Sequence, residues 1–269
     1  MNLKPFLNNS AYGRIRKLWL AIFLLKGILK FMDKKTSNNI LQSIHSLYLE
    51  FYKDGPLPKT PDRIFSENIL TTLDRSSIFG SSPKEKDVTI LLSDLRGFTA
   101  MSENYNPLQI ISFLNRYFSA MSEIIQQYDG TIDKFMGDCI MAFWNAPLDN
   151  DKHRQLAVKS AIEMQIQLAL LNVQLVAEGL PRINIGIGIN TGEALVGNMG
   201  SDQRFDYSVI GDPVNLASRL ESSSKTLGKT LVISENTMKG IEHIFPFEYI
   251  DSITVKGKTE PIKVYTVKN

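Results

Sequence analysis

The sequence predicts an α+β fold on a split βαβ core, in the order βαββαβ, with further strands and a helix after it and a helical segment before it. Three observations predict this. From residue 88 onward, short β-branched runs alternate with long stretches of helical period. Two strand-like runs, at 131–135 and 139–144, are separated only by Met136-Gly137-Asp138, which marks a hairpin rather than a crossover. The chain has 269 residues, 43% hydrophobic and 22% charged, enough apolar material to bury a full core.

The elements follow in order. Residues 88–93 (VTILLS) suit a buried strand. Asn106-Pro107 is an N-cap and first-turn pair. Ile110, Leu114, Tyr117, Met121, Ile124 and Tyr128 then recur on a helical period that Asp129-Gly130 closes. The hairpin comes next. Ala157, Ala161, Met164, Leu168, Leu171 and Leu175 predict a long helix, ended by Gly179 with Pro181 beyond. Residues 183–190 (INIGIGIN) alternate strictly, as a strand whose glycines imply close backbone approach on the other face. Residues 194–199 read as a separate strand. Asp212-Pro213 opens a third helix over 214–227, and strands are expected at 230–234, 247–255 and 262–267. Hairpins mixed with crossovers make this ferredoxin-like arrangement α+β rather than a doubly wound sheet.

The net charge of +2 is unevenly spread. Residues 1–36 hold eight basic residues and one acid, Asp33, so the rest of the chain is mildly acidic. Leu18, Ile22, Leu25 and Leu29 lie on a helical stripe within that segment. The unbroken apolar run around them is too short for the roughly 20 residues a spanning helix needs. No small-x-small cleavage site follows it. Two readings stay open: a helix packed on the body or on a partner chain, and a basic amphipathic helix touching an anionic membrane peripherally through residues 14–35. Residues 37–87 read as a connector, with prolines at 56, 58, 61 and 83 and a charged run, Lys84-Glu85-Lys86-Asp87, that reads as linker or loop. The expected division is 1–84, a helical segment and linker, and 85–269, the main domain.

A single cysteine, Cys139, excludes an intrachain disulfide and a Cys-rich zinc site, and fits a reducing, cytoplasmic setting. Three scattered histidines exclude paired zinc ligands. Any metal would therefore sit on carboxylates and be a hard cation. Asp94 follows the first strand and Asp138 lies in the hairpin after the second; those two strands are expected to be central neighbours. Each acid alone reads as a cap or turn residue. Together, at the ends of apolar strands, they are costly unless paired with cations, and a magnesium pair is the economical explanation. Gly97 suggests a backbone nest for phosphate oxygens just after Asp94. Asn215 and Arg219 are four apart on a helix and share a face, suited to a ribose and a phosphoryl group or to a surface salt bridge with Glu221. Lys134 and Lys256 alone read as solvated lysines. Spacing reaches as far as metal-dependent phosphoryl chemistry.

Five ordered segments carry a resemblance beyond that. Ser93-Asp94-Leu95-Arg96-Gly97-Phe98-Thr99, Asp133-Lys134-Phe135-Met136-Gly137-Asp138, and Gly186-Ile187-Gly188-Ile189-Asn190-Thr191-Gly192-Glu193 are similar to class III nucleotidyl cyclases. So are the run from Tyr207 to Glu221 and Val255-Lys256-Gly257-Lys258. The resemblance covers residues from about 86 to 267 and leaves residues 1–85 outside. It implies that Asp94 and Asp138, with the backbone at Leu95, hold two magnesium or manganese ions per site. It implies that Gly97, Phe98 and Thr99 lie in the loop on the terminal phosphates, with Lys256 on the outer phosphates. Lys134 and Ser208 fall on the purine-reading positions, and Lys with Ser is most like the bacterial-type adenylyl cyclases with Lys plus Thr/Ser. Asn215 matches the ribose-orienting position and Arg219 the transition-state arginine. A Lys ammonium favours adenine N1, an acceptor, over guanine N1–H. A Ser hydroxyl can accept or donate, so it discriminates less sharply than Asp.

The resemblance implies conversion of ATP to 3′,5′-cyclic AMP and pyrophosphate at composite sites of a homodimer, with no nucleic-acid partner. It implies a cytoplasmic protein, at the inner face of the membrane if residues 14–35 bind there. Two other readings stand beside it: an enzyme making cyclic GMP or both products, and a non-catalytic module of the same fold. No Gly-Gly-Asp/Glu-Glu-Phe hairpin of the diguanylate cyclases is present.

Overall fold

The computed structural model of the protein describes residues 82–201, 204–254 and 261–268. The expectations for the N-terminal segment and for Lys256 lie outside the described residues.

The main domain is an eight-stranded sheet in the order β2-β3-β1-β4-β6-β8-β7, with β5 attached to β4. Its strands are β1 (Lys84–Leu95), β2 (Thr131–Met136), β3 (Cys139–Trp144), β4 (Ile185–Ser201), β5 (Arg204–Ile210), β6 (Leu231–Ser234), β7 (Phe247–Ile253) and β8 (Ile262–Val267). The helices are α1 (Phe98–Ser102), α2 (Pro107–Gln127), α3 (His153–Ala177), α4 (Asp212–Thr226) and α5 (Glu235–Met238). β1, α2, β2, β3, α3 and β4 form the expected split βαβ core, and every strand pair within it is antiparallel.

Period-two alternation sorts the central strand into two faces. Leu91 and Leu95 of β1 join Ile140, Ala142 and Trp144 of β3 and Ile185, Ile187 and Ile189 of β4. These pack on the inner stripes of α2 (Phe113, Tyr117, Met121, Ile125) and α3 (Ala157, Ala161, Met164, Leu168, Leu171, Leu175). Val88, Ile90 and Leu92 point the other way, onto Met141, Phe143, Val196, Val209 and Ala217. Asp94 continues this second row, so it lies on the sheet face away from α2 and α3. α2 starts with a capping box: Asn106 Oδ1 accepts from Gln109 N at 2.9 Å, and Gln109 Oε1 accepts from Asn106 N at 3.3 Å.

The glycines of β4 have the expected cause. A Cβ on Gly188 would strike the backbone of α4 at Glu221 N and Ala217 O, and one on Gly186 would meet the Ser224 and Glu221 side chains. α4 therefore lies directly on β4, and glycine is what lets it.

Four expectations are corrected. Residues 183–190 and 194–199 are not two strands but parts of one, β4, because β1 pairs with it without interruption from Leu95↔Ile185 to Lys84↔Val196. That ladder also takes in Lys84-Glu85-Lys86-Asp87, read from charge as linker. Those side chains stay exposed or half-buried while the backbone pairs. β5, α1 and α5 were not expected; β5 is a short strand that pairs straight back onto β4, with no helix between to separate their signals. Finally, β1 neighbours β3 rather than β2, and β2 is the sheet edge.

Candidate functional site

Asp94 and Asp138 meet even though β1 and β2 do not pair. Asp138 sits in the two-residue loop between Met136 and Cys139, and β3 then runs alongside β1, with Ser93 opposite Ile140. Gly137 opens that loop with φ +65°, which glycine adopts without strain. The two carboxyl groups adjoin. Burial pushes Asp138 up to about 7, and the adjoining Asp94 carboxyl adds to it; the N–H groups of Leu95 and of Asp138 itself pull the other way. Asp94 Oδ1 is buried with no hydrogen-bond partner. Cys139 beside them is held protonated, pushed up to about 12 by burial and then by Asp94, Glu221 and Asp138, so it is no nucleophile.

An orphaned carboxylate oxygen against a second carboxyl fits a hard divalent cation. No cluster of three His, Cys, Asp or Glu residues that could hold a metal occurs among the described residues. A magnesium-type ion suits such a sparse site, since it keeps water and takes substrate phosphates beside one or two carboxylates.

The loop after Asp94 is fixed from α4. Arg96 donates to Ser224 Oγ at 3.2 Å and to the Lys229 carbonyl at 2.6 Å, and its own N–H reaches the Asn184 carbonyl at 2.8 Å. Gly97 has φ +72° and precedes α1, and Phe98 packs edge-on against Phe113 at 6.2 Å. Thr99 is exposed in α1. Glu221 on α4 is pushed up by burial and then by the charge of Asp94.

A second cluster joins β2 to β5. Lys134 Nζ donates to Ser208 Oγ at 3.2 Å. Both meet Asp133: Ser208 Oγ donates to Asp133 Oδ2 at 2.7 Å, the Val209 N–H reaches the same oxygen at 3.3 Å, and Lys134 Nζ lies 3.1 Å from Oδ1. A β-bulge makes this possible. Ile132 pairs with Ala142 and Lys134 with Met141, leaving Asp133 as the extra residue. Ile132 stays in the helix-side core, and Phe135 stacks on Phe118 of α2 at 4.4 Å. Asp133 and Lys134 between them turn to the open face. Asp133 is 7% exposed and Ser208 4%. Burial raises the Asp133 carboxyl, against the pull of Ser208, Lys134 and the Val209 N–H.

Asn215 is exposed and Arg219 half-buried, one turn apart on α4. The start of α4 is tied to β4 by Asn190 Nδ2, which donates to the Pro213 carbonyl at 3.0 Å. Sequence reasoning singled out Asp94, Asp138, Lys134, Ser208, Asn215 and Arg219 but passed over Asp133 as a site residue. A signal was present. Strict alternation from Ile132 would turn Lys134 into the core and Phe135 out, and only a bulge reverses both.

Residues 81–269 match the family model described as the adenylate and guanylate cyclase catalytic domain. The chain is 41% identical over 188 residues to an adenylate cyclase of Anabaena cylindrica, covering 67% of this chain and 36% of that protein. It is 30% identical over 221 residues to adenylate cyclase 1 of Rhizobium meliloti, covering 80% and 33%. It thus spans about a third of the length of these relatives. The crystal structure of the adenylyl cyclase CyaB from P. aeruginosa superposes with a TM-score of 0.67 at 39% identity, over 70% of this chain and 97% of that one. A guanylyl cyclase crystal structure superposes almost as well, at 0.64 and 38%, over 70% and 94%. Overall likeness therefore does not separate the two substrates, and the residues that face the base must. With these motifs carried on this fold, the chain belongs to the family of adenylate and guanylate cyclase catalytic domains.

Proposed function

We propose that this chain is an adenylyl cyclase, converting ATP to 3′,5′-cyclic AMP and pyrophosphate at two composite sites of a homodimer. The observation that carries the substrate is the Lys134–Ser208 pair at 3.2 Å on the open sheet face. Lys134 Nζ is ion-paired with Asp133 Oδ1 at 3.1 Å and donates to Ser208 at 3.2 Å, and the ammonium has three donors. The third is available to adenine N1, where guanine would present a competing N–H.

Asp94, Asp138 and the Leu95 carbonyl would hold magnesium or manganese, two ions per site. When bound, these ions neutralise phosphate charge and ease ionisation of the ribose 3′-hydroxyl. The 3′-oxygen bonds to the α-phosphorus as the bond to the bridging oxygen breaks, and pyrophosphate leaves. Arg219 stabilises the charge that builds on the phosphoryl oxygens, Asn215 orients the ribose, and the backbone at Gly97, Phe98 and Thr99 holds the terminal phosphates with Lys256.

Exposed apolar side chains near the Lys134–Ser208 cluster in the strands that carry it support a second subunit against this part of the sheet. Met136, Leu195 and Ile210 are 42–58% exposed, and Leu195 and Ile210 sit opposite each other on β4 and β5. One subunit would supply the aspartates, and its partner Lys134, Ser208, Asn215 and Arg219. The segment of residues 1–84 would act as a dimer or signalling element, or as a peripheral tether to the inner membrane face through residues 14–35. Deletion of residues 1–80 should alter dimerisation, activity or membrane association, and no change in all three removes that role.

The test is turnover of ATP and of GTP in separate reactions with manganese, with product identification. Cyclic AMP from ATP that disappears in Asp94→Ala is the expected result. Lys134→Glu with Ser208→Cys should move activity toward GTP. Cyclic GMP as the main product of the unaltered protein would refute the base assignment.

A further inference from the structure

Resting on the proposed reading of Lys134 and Ser208 as the base-facing pair, we propose that Asp133 is the positioning residue that sets base preference. It takes the Ser208 hydroxyl hydrogen and so leaves Ser208 able only to accept a hydrogen bond from the purine.

A serine hydroxyl has one hydrogen and two lone pairs. Here the hydrogen is committed to Asp133 Oδ2 at 2.7 Å, the shortest bond of the cluster. One lone pair is taken by Lys134 Nζ at 3.2 Å. What remains is a single lone pair. It can pair with the 6-amine of adenine and meets only repulsion from the 6-carbonyl of guanine.

The direction of the Ser208–Asp133 bond follows from the other neighbours of the carboxyl group. Oδ2 also faces the Val209 N–H at 3.3 Å, and Oδ1 faces the Lys134 ammonium at 3.1 Å. Both are donors with nothing to accept, so Oδ2, which the Val209 N–H already faces, acts as the acceptor toward Ser208. The bulge at Asp133 is what brings the carboxyl to this face beside Lys134. At 4% exposure Ser208 has little solvent to reorient toward. A hydroxyl that could serve either base is thereby locked to one, and Ser208 acts as an aspartate would without carrying the charge.

The experiment compares kcat/KM for ATP and GTP in the full chain carrying Asp133→Leu, Ser208→Ala or both. Leucine keeps the approximate shape of Asp133 and removes every acceptor. The ATP/GTP ratio should fall at least about tenfold in Asp133→Leu, the effect of freeing one buried hydroxyl to donate. In the Ser208→Ala background the same change should move the ratio by less than about twofold, since the two act through one hydrogen bond. Loss of turnover on both nucleotides with the ratio intact would overturn the proposal and leave Asp133 a structural residue. An equal shift with and without Ser208 would also overturn it, by showing that Asp133 acts through Lys134. If Ser208→Ala itself leaves the ratio unchanged, the base-reading assignment fails first, and the proposal with it.

Analogues read the same bond in the unaltered protein, whatever the stability of the variants. The triphosphate of purine riboside keeps N1 and lacks the 6-amine; the 6-methoxy analogue keeps N1 and adds an acceptor at position 6. The expected order of kcat/KM is ATP, then purine riboside, then 6-methoxy. A 6-methoxy analogue used at least as well as purine riboside would show that Ser208 can donate, and would overturn the proposal.

Discussion

Asp94 and Asp138 form a pair of like charges that folding brings together without a partner for one of their oxygens. In the metal-free protein the folded-state pKa of Asp138 lies near 7, above its ordinary 3.8. The folded chain thus binds more protons than the unfolded one between those values. The contribution of this group to stability is present at low pH and is lost as pH rises toward 7. Melting of the metal-free protein should therefore show a fall in Tm from about pH 5 to pH 8 that Asp138→Asn removes and saturating magnesium reverses. A pH profile identical in the two proteins would contradict the shared site. The paired acids were legible in the sequence because two carboxylates at the ends of apolar strands are costly to bury without a cation. Asp133 was not, because its role depends on a bulge and on Ser208, a residue 75 positions away in a strand whose signal merges with that of β4.

Among the elements, β4 does the most to place the site. Its glycines admit α4, which carries Asn215 and Arg219, and its far half pairs with β5, which carries Ser208. Gly188→Ala forces a methyl group into the α4 backbone, where no flexible side chain can yield. It should cost about 1–3 kcal/mol in urea unfolding and lower activity beyond the stability loss, because α4 must shift. Asn106→Ala removes a cap at the far end of α2 and should cost about 1 kcal/mol with activity retained. If Gly188→Ala were as benign for activity as Asn106→Ala, the tight seating of α4 would not matter to the site. The three long helices, α2, α3 and α4, and the β2–β3 hairpin were readable from period and turn residues. The unity of β4 was not, since Gly192 and Glu193 look like a break, and only the facing strand β1 shows that the ladder runs through them.

At the scale of the molecule, the two faces of the sheet divide the labour. One is sealed by α2 and α3. The other holds both clusters, the aspartates with α4 beside them and Lys134 with Ser208 at the β2–β5 side, and apolar side chains remain exposed around the latter. Lys134 and Asp138 are four residues apart along one strand and its turn, about 13 Å if extended. The proposed completion of the site by a second copy rests on the resemblance to the family, which implies a homodimer because one chain carries both sets of residues. Orientation of the two copies was not readable, since no pattern in one strand specifies a symmetry axis.

The most direct measurement mixes two inactive proteins. Asp94→Ala and Arg219→Ala should each form dimers without measurable cyclic AMP production. Mixed in equal amounts and allowed to exchange subunits, they should recover about a quarter of the unaltered activity, because half the dimers then contain one intact site out of two. Recovery at that level would establish the cyclase reaction, the roles of both residues and the shared site together. Heterodimers that form without any recovery, or either variant alone retaining full activity, would contradict the account.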